Sequence, residues 1–425
     1  MPTFLSPVLL TWGISALAVA GVITRPFRLP EAVWAVLGAA VIAALGLMPL
    51  SAVWNGIARG TDVYLFLIGM MLLSELARKE GLFDWLAAIA TRQANGSPKC
   101  LFFLIYAVGV LVTVFLSNDA TAVVLTPAVY AATRAAKVAN PLPYLLICAF
   151  IANAASFVLP ISNPANLVIF GGGEMPPLGE WLRTFTLPSI VAIVVTYLAL
   201  AFTQRRALAS ETVAADVPTP SLSPAARVAG IGLALTAIGL VIVSALDLDL
   251  GLPTFVAGIA TTLLIVLVNR EPPLDVLKGI SWSVLPLVAG LFVIVEALSG
   301  TGLVGMLGDL LARNAAISPA WTAGVAGVGV GFAANLVNNL PAGLFAGSAV
   351  QAAGAPSLVA AAILIGVDLG PNLSVTGSLA TILWLTALRR EGIEVGTWQF
   401  LKLGAVVMIP ALLLSIATLI GMSLL

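Results

Sequence analysis

A short polar segment inside a long apolar stretch is the strongest constraint on how this chain can fold. Ser117-Asn118-Asp119-Ala120-Thr121 lies between Leu101–Leu116 and Ala122–Ala132, and neither flank contains a charged residue. A carboxylate at membrane depth costs roughly 2.5–3.5 kcal/mol on insertion scales, so it usually faces a bundle interior or a watery cavity. Ser, Asn and Asp also favour helix caps. Both interpretations hold if the segment is a break between two helices deep in a membrane.

Composition indicates a polytopic membrane protein. The 425 residues are 60% hydrophobic and 9% charged, with a mean hydropathy of +1.10, whereas soluble domains are about 25% charged. There is no histidine and there are two cysteines, Cys100 and Cys148, which excludes the usual zinc sites. The chain also lacks a Gly-x-x-x-x-Gly-Lys-Ser/Thr phosphate loop. We therefore predict no metal, no cofactor and, with zero formal charge, no nucleic-acid partner.

Candidate membrane segments recur along the chain at the length of about 20 residues that a bilayer requires. The predicted elements of the first half are Leu5–Thr24 (a retained span, not a signal peptide), Glu31–Met48, Asp62–Ala77, an amphipathic Gly81–Thr91, a broken Leu101–Ala136, an interrupted Tyr144–Gly171 and Leu187–Thr203. Those of the second half are Arg227–Leu246, Thr254–Val268, Ser283–Leu298, an amphipathic Leu303–Ala312, a broken Trp321–Ala353, a broken Leu358–Leu388 and Leu403–Leu424.

The second half repeats the first at a spacing near 221 residues. The matching landmarks are Glu75 with Glu296, Gly81 with Gly302, Arg92 with Arg313, and Asn118 with Asn339. The polar stretch Gln204–Arg227 separates the halves, so we predict a first repeat at 1–204, a cytoplasmic linker at 205–226 and a second repeat at 227–425. Such repeats are common in secondary transporters, whose substrate sites lie at the repeat interface near the midplane.

Basic residues predict the orientation. If each half makes five net crossings, one face collects 16 of the 19 Lys and Arg residues and the other collects only Arg59, Arg183 and Arg313. The richer face is then cytoplasmic, which places both termini outside. Five is odd, so the halves must be inverted relative to each other. The arm Leu101–Leu116 measures about 24 Å, short of the bilayer core of about 30 Å, which favours a re-entrant hairpin over two full spans.

The predicted fold is therefore an all-α polytopic membrane protein of two inverted repeats, each with a re-entrant hairpin and a discontinuous transmembrane helix. Irregular backbone at membrane depth is tolerated only where it is buried in protein or lines water. The four breaks thus predict a solute site, although their polar residues could instead only tie helices together. The candidate solute-binding residues are Ser117, Asn118, Thr121, Ser162, Asn163, Asn166, Asn338, Asn339, Ser374, Thr376 and Ser378.

Two acidic residues in these breaks are candidate proton carriers. Burial disfavours the charged form of a carboxyl group, so we predict that Asp119 and Asp368 exchange protons, with a helix cap as the alternative for Asp368. Glu75 and Glu296 lie near the ends of their spans and are predicted to be interfacial or capping residues.

At these motifs the chain resembles the ArsB-type arsenite and antimonite efflux permeases of the ion transporter superfamily. The segments that carry the resemblance are Gly69–Ala77, Gly81–Trp85, Ser117-Asn118-Asp119, Leu125-Thr126-Pro127, Asn338-Asn339-Leu340-Pro341, Asp368-Leu369-Gly370-Pro371 and Gly377–Thr381. The resemblance implies two inverted repeats whose hairpins and broken helices meet at the solute site. It also implies export of trivalent arsenic or antimony, in exchange for protons, across a prokaryotic cytoplasmic membrane. Some members of that family dock on a soluble ATPase, for which the linker Gln204–Arg227 is the natural surface.

The residues fit a neutral solute. Arsenous acid is a neutral triol at neutral pH, which calls for hydrogen-bond donors and acceptors, and none of the four breaks contains Lys, Arg or Cys. A sodium/proton antiporter or a carboxylate transporter of the same superfamily is the nearest alternative, and metalloid or silicic acid uptake is a third. An intramembrane enzyme would require clustered acids or His, Ser and Lys chemistry, whereas these segments hold isolated acids. We therefore predict no enzyme activity.

Overall fold

The computed structural model describes residues 6–170, 175–215, 217, 221–269, 272 and 274–424, and their regular elements are helices. Seven helices among these residues are long and apolar enough to cross a membrane, and two bent helix pairs also qualify if each pair is one span. This agrees with the prediction of an all-α polytopic membrane protein. Some predicted positions lie outside the described residues, namely Leu5, Gly171, Arg270 and part of the linker.

The first half begins with helices Pro7–Thr24, Glu31–Ala44, Leu50–Arg59, Thr61–Lys79 and Leu82–Gln93. Leu50–Arg59 was not expected from the sequence. It is amphipathic and meets Thr61–Lys79 at a bend of 43°. The predicted Glu31–Met48 span ends earlier, at Ala44.

Two helical hairpins follow the same plan. The first hairpin (97–135) has the arm Pro98–Phe115 and a second arm at 118–135, which contains a π-helical turn at Thr121–Leu125. The second hairpin (318–353) has the arms Pro319–Val337 and Asn339–Ala353. Each begins with a serine cap, since Ser97 Oγ accepts from the Cys100 N–H and Ser318 Oγ from the Trp321 N–H, both at 3.3 Å.

Each hairpin is followed by a broken span. The first broken span (142–170) consists of Leu142–Ala154, a 3₁₀ turn at Pro160–Ser162 and Pro164–Phe170. The second broken span (357–390) consists of Ser357–Leu369, a 3₁₀ turn at Gly370–Leu373 and Leu379–Arg390. The remaining helices are Leu178–Ser210, Pro224–Ala245, Gly251–Asn269, Leu274–Gly279, Val284–Gly300, Leu303–Ile317 and Thr397–Ser423.

The helix starts recur between the halves at constant offsets. Leu82–Gln93 and Leu303–Ile317 begin 221 residues apart, as do the four hairpin arms in their pairs. The preceding glycines, Gly81 and Gly302, both have positive φ, at 74° and 84°. The first helices of the two broken spans are 13 residues long and begin 215 residues apart. The helix starts therefore keep the predicted offset at these elements, while the division into two repeats and the inversion of one half stay predictions.

Glycines bring the second hairpin and the second broken span into close contact. Gly327 and Gly331 on the hairpin arm face Gly366 and Gly370, and each pair has the Gly-x-x-x-Gly spacing that allows helices to approach closely. A Cβ on Gly370 would lie 2.2 Å from the Gly331 carbonyl oxygen. Asn335, one turn further on, donates from Nδ2 to the carbonyl of Gly370 at 2.9 Å. This packing holds the second break against the tip of the second hairpin.

The connection between the flanking helices is shorter than the linker predicted at 205–226. Helix Leu178–Ser210 continues beyond the predicted end at Thr203, and the next helix begins at Pro224. Glu211 then accepts hydrogen bonds of 2.9 Å from the N–H groups of Ala139 and Asn140. The start of the connection is therefore attached to the loop that follows the first hairpin.

Candidate functional site

Five helices begin at one small void between the hairpin tips and the breaks. The void measures about 10 Å³ and is lined by the first residues of each helix, together with Asn163 and Leu67. Its lining residues are Leu67, Asn118, Asp119, Asn163, Pro164, Val284, Asn339, Leu340, Leu379 and Ala380. Both hairpins and both broken spans thus contribute to a single site, which is the arrangement expected from the four polar breaks.

Helix capping explains why polar residues are required at these breaks. Ser117 Oγ accepts from the Ala120 N–H at 3.1 Å, and Asn163 Oδ1 accepts from the Ala165 N–H at 3.0 Å. In the second half, Asn338 Oδ1 accepts from the Leu340 N–H at 3.3 Å and Ser378 Oγ from the Thr381 N–H at 3.1 Å. Each of these four side chains accepts a hydrogen bond from a backbone N–H at a helix start, where the N–H groups have no partner within the helix.

The convergence of helix N-termini also shapes the electrostatics of the void. A helix start carries a partial positive charge of roughly half an elementary charge. The helices that begin at Asn118, Asn339 and Leu379 are long enough for this effect, and all three start on the lining of the void. The site therefore interacts favourably with a negative charge, which Asp119 carries when it is deprotonated.

A larger cavity of about 90 Å³ adjoins the void and includes Asp119 and Ser117 in its lining. It follows helix Thr61–Lys79 from Leu67 to Glu75 and reaches Gly279–Ser281. Glu75 is ion-paired with Arg78, which donates from Nε to Oε2 and from Nη2 to Oε1. The sequence predicted Glu75 to be interfacial or capping, and the structure places it on the lining of this cavity.

The polar groups left available in the void belong to three residues. Asp119 is partly exposed, and no described residue hydrogen-bonds its carboxyl group. Asn118 uses its Oδ1 to accept from the Asp119 N–H at 2.9 Å, which leaves its amide N–H groups available. The Asn339 side chain has no partner among the described residues, whereas its backbone N–H donates to the Gly377 carbonyl at 2.9 Å.

Asp368 lies elsewhere, in a fully buried network beside the void. Its Oδ2 lies 2.7 Å from Ser156 Oγ, and its Oδ1 accepts from Asn163 Nδ2 at 2.8 Å. Asn153 and Asn372 extend the network through a hydrogen bond of 3.0 Å. The sequence pattern did not predict Asn153, Ser156 or Asn372 as site residues. The signal for Asn153 was present, because it is the twelfth residue of its 13-residue helix, as Asp368 is of its own.

The other predicted site residues tie elements together and do not line the void. Ser162 donates to the Val114 carbonyl at 3.0 Å, and Thr121 shares a hydrogen bond of 2.8 Å with Thr113. In the second half, Ser374 donates to Asn335 Oδ1 at 2.9 Å. Thr376 Oγ1 donates to the Asn335 carbonyl at 3.3 Å, and Asn166 Nδ2 donates to the Ser156 carbonyl at 2.9 Å.

Neither cysteine lines the void or the adjoining cavity. Cys148 is fully buried and Cys100 is partly buried. Within the described part of the chain, no three His, Cys, Asp or Glu side chains are grouped so that they could hold a metal ion. The polar chemistry of the void is therefore that of amides and one carboxyl group.

A second opening is acidic. It measures about 750 Å³ and is lined by Glu180, Asp247 and Asp249, with no Lys or Arg among the described lining residues. Its lining also includes Ile169 and Phe170, the last two residues of helix Pro164–Phe170, whose first residue lines the void.

Comparisons with known proteins agree on a transporter. The family model "CitMHS: Citrate transporter" matches residues 18–367. The arsenical pump membrane protein of Escherichia coli (strain K12) is 28% identical over 97% of this chain and 98% of its own length. An uncharacterized transporter of Mycobacterium tuberculosis (strain ATCC 25618 / H37Rv) is 27% identical over 81% of this chain and 82% of its own.

Solved structures show the same fold at low sequence identity. The YdaH transporter of Alcanivorax borkumensis has a TM-score of 0.58 and 18% identity, covering 98% of this chain and 97% of that one. MtrF of Neisseria gonorrhoeae has a TM-score of 0.56 and 13% identity, covering 99% and 95%. The matched segment of the family model exceeds half of the chain, and the chain is therefore a multi-pass membrane transporter of the CitMHS (citrate transporter) family.

Proposed function

We propose that this transporter exports trivalent metalloids, arsenite and antimonite, across the cytoplasmic membrane in exchange for protons. The observation that carries the proposal is the composition of the void, where Asn118, Asn339 and Asp119 offer hydrogen-bonding groups without Lys, Arg or Cys. The name of the relatives as arsenical pump membrane proteins supports the same solute class.

The solute chemistry matches these groups. Arsenous acid presents three hydroxyl groups, each of which donates and accepts hydrogen bonds. Carboxamides do both, and a carboxylate accepts only. The free amide groups of Asn118 and Asn339 would contact the solute oxygens, while Asp119 would accept from a solute hydroxyl. A thiolate would hold trivalent arsenic too tightly for release, and neither Cys100 nor Cys148 lines the site.

Exchange would follow from competition at Asp119. When this carboxylate is charged, it can accept hydrogen bonds from the solute and balance the partial positive charge of the helix starts. When it is protonated, one acceptor is lost and the site binds the solute less well. A proton and a metalloid would thus occupy the site in turn.

The proposal also includes the direction of solute transport and a protein partner. The cavity of about 90 Å³ reaches Glu75 near Arg78 and Lys79, on the face that the charge distribution predicts to be cytoplasmic with both termini outside. The solute would therefore enter from the cytoplasm. A soluble arsenite-stimulated ATPase, if one docks, would meet the connection within Gln204–Arg227.

A carboxylate is the second candidate substrate. The family description names citrate, and the convergent helix N-termini could bind an anion without any Arg. The acidic residues argue against a carboxylate substrate, because Asp119 lines the void and the second opening is lined by Glu180, Asp247 and Asp249. Like charges would repel a citrate anion at both places.

The test is solute accumulation in everted membrane vesicles given arsenite, antimonite, sodium or citrate separately under a proton gradient. We expect proton-driven accumulation of arsenite and antimonite and none of citrate. Citrate accumulation without arsenite would establish the second candidate. Sodium-driven proton release without arsenite movement would contradict metalloid export and indicate a sodium/proton antiporter.

A further inference from the structure

The buried network around Asp368 joins the two halves of the chain through side chains. Asp368 and Asn372 belong to the second broken span, and Asn153, Ser156 and Asn163 belong to the first. Asn372 Nδ2 also donates to the Phe150 carbonyl at 2.9 Å. All five polar side chains are fully buried or nearly so, so each of their hydrogen bonds is shielded from water.

The two short contacts of the Ser156 hydroxyl group constrain whether Asp368 is charged or protonated. Its Oγ lies 2.7 Å from the Asn153 carbonyl oxygen and 2.7 Å from Asp368 Oδ2. Both neighbours are acceptors if Asp368 is charged, but a serine hydroxyl has one proton to donate. If Asp368 carries a proton on Oδ2, it donates to Ser156 Oγ and Ser156 donates to the Asn153 carbonyl. Every short contact is then a hydrogen bond.

Asn163 is consistent with the same arrangement. Its Oδ1 accepts from the Ala165 N–H at 3.0 Å, which orients the amide so that Nδ2 faces Asp368. Asp368 Oδ1 therefore acts as the acceptor, which leaves Oδ2 as the oxygen on which a proton would lie. Asn163 also lines the void, so a single side chain separates the buried acid from the solute site.

Among the described residues, no cation compensates a charge at this position. Asp368 is in none of the ion pairs formed by Glu31, Glu75 and Glu296, and its partners are Ser156 and Asn163. The titratable or charged side chains on the helices packed against Ser357–Leu369 are Tyr144, Cys148, Glu180, Arg183, Tyr197, Arg205, Arg206 and Lys402. None of these is hydrogen-bonded to Asp368. A carboxylate here would be a buried charge held by two neutral donors.

The repeat shows that a neutral group suits the position. Asn153 occupies in the first broken span the place that Asp368 occupies in the second, and its amide donates to Asn372 Oδ1. A protonated carboxyl group, like a carboxamide, presents one carbonyl acceptor and one donor on the same carbon.

We propose that Asp368 holds a proton in this conformation and that the neutral acid joins the two broken spans through Ser156 and Asn163. The inference deepens the proposed proton exchange, since it adds a proton site separate from Asp119. Release of the proton to water entering past Asn163 would leave a carboxylate that cannot donate to Ser156. Ser156 would then donate to Asp368 and lose its bond to the Asn153 carbonyl, and an uncompensated charge would lie buried between the spans. Asn163 is the positioning residue that communicates this change to the void.

Infrared spectroscopy of the purified protein at neutral pH tests the proposal without any solute. We expect a carbonyl stretch of a protonated carboxylic acid in the wild type and in Asp119→Asn, and its loss in Asp368→Asn. In Ser156→Ala the acid loses its acceptor, so the band should remain and move to a higher wavenumber. The same band in Asp368→Asn as in the wild type, or no band in the wild type, would overturn the proposal.

The pH dependence of unfolding is the second measurement, with Asp368→Asn as the matched variant. Asn reproduces the acceptor and the donor of the neutral acid, so this variant should fold. A folded state that binds one more proton than the unfolded state loses stability as pH rises, by up to tenfold in the unfolding equilibrium constant per pH unit. We expect this loss between pH 5 and 7 to be smaller in Asp368→Asn, and equal slopes would contradict the proposal. Because neither readout involves arsenite, failure of metalloid export would leave this result intact.

Discussion

Ser162 donates a hydrogen bond of 3.0 Å to the carbonyl oxygen of Val114, and this bond ties the first broken span to the end of the first hairpin arm. Both residues are buried, and Val114 lies three residues before Ser117. The second half makes the corresponding connection through the backbone, where the Asn339 N–H donates to the Gly377 carbonyl at 2.9 Å. Hairpin and broken span are thus joined in each half, by different bonds.

We predict that Ser162→Ala destabilises the protein by about 1–3 kcal/mol, because it leaves the buried Val114 carbonyl without its donor. Thermal unfolding in detergent measures the effect. Ser210→Ala is the control, since Ser210 is an exposed serine that bonds only carbonyls of its own helix. Equal melting temperatures for the two variants would show that the bond does not stabilise the break.

Gly370→Ala should destabilise the contact between the second hairpin and the second broken span by about 1–3 kcal/mol, since overpacking forces the backbone apart. The added Cβ would lie 2.2 Å from the Gly331 carbonyl oxygen. Gly305→Ala is the matched control, because Gly305 is helical with nothing within 4 Å of a Cβ. Alanine there should stabilise the helix by roughly 0.5–1 kcal/mol. A Gly370→Ala protein as stable as the wild type would contradict this packing.

Acidification should detach the connection between the halves. Burial raises the pKa of Glu211, but hydrogen bonds from the N–H groups of Ala139, Asn140 and Thr212 outweigh it, so the pKa lies below its usual value. The contact is therefore present above the ordinary glutamate pKa of about 4.3 and is lost as pH falls through the lowered value.

Hydrogen exchange at the Ala139 and Asn140 amides measures this contact. At neutral pH we expect Glu211→Gln to reduce their protection about threefold to tenfold. Glu394→Gln, at an exposed position, should leave it unchanged. Unchanged protection in Glu211→Gln would mean that the loop is held without this carboxylate.

Removal of both thiols should leave transport intact. Neither cysteine lines the void or the adjoining cavity, so Cys100→Ala with Cys148→Ala should retain arsenite accumulation within about twofold. Because Cys148 is fully buried, folding is checked by thermal unfolding, where truncation to alanine should cost on the order of 1 kcal/mol. Complete loss of transport in a folded double variant would indicate that sulfur binds the solute.

The sequence predicted the elements better than the roles of individual side chains. The hairpins and the breaks followed from polar residues in apolar stretches, and the 221-residue offset reappears in the helix starts. Leu50–Arg59 was missed because its amphipathic pattern covers only 10 residues. The offset of 215 at the broken spans was missed because it differs by six residues from the offset of the hairpins.

Site composition was only partly predictable, because polar residues at breaks have two uses. Asn118, Asn163, Asn339 and Asp119 do meet at the void. Asn166 has the same residue type as Asn339, yet it donates to the Ser156 carbonyl and holds the break together. Whether a polar side chain lines the void or bonds a neighbouring element depends on how the helices after each break pack in the fold. A local sequence pattern does not contain this information.

The most direct test of proton-coupled metalloid export is proton flux in proteoliposomes when arsenite is added on one side. The wild type should move protons against arsenite, and Asp119→Asn should lose this flux by at least tenfold while keeping its fold, because no described residue depends on the Asp119 carboxyl group for a hydrogen bond. Asp309→Asn, on the exposed surface of helix Leu303–Ile317, should behave as the wild type. Arsenite-dependent proton flux that persists in Asp119→Asn would contradict coupling at this residue, and arsenite movement without any proton flux in the wild type would contradict exchange altogether.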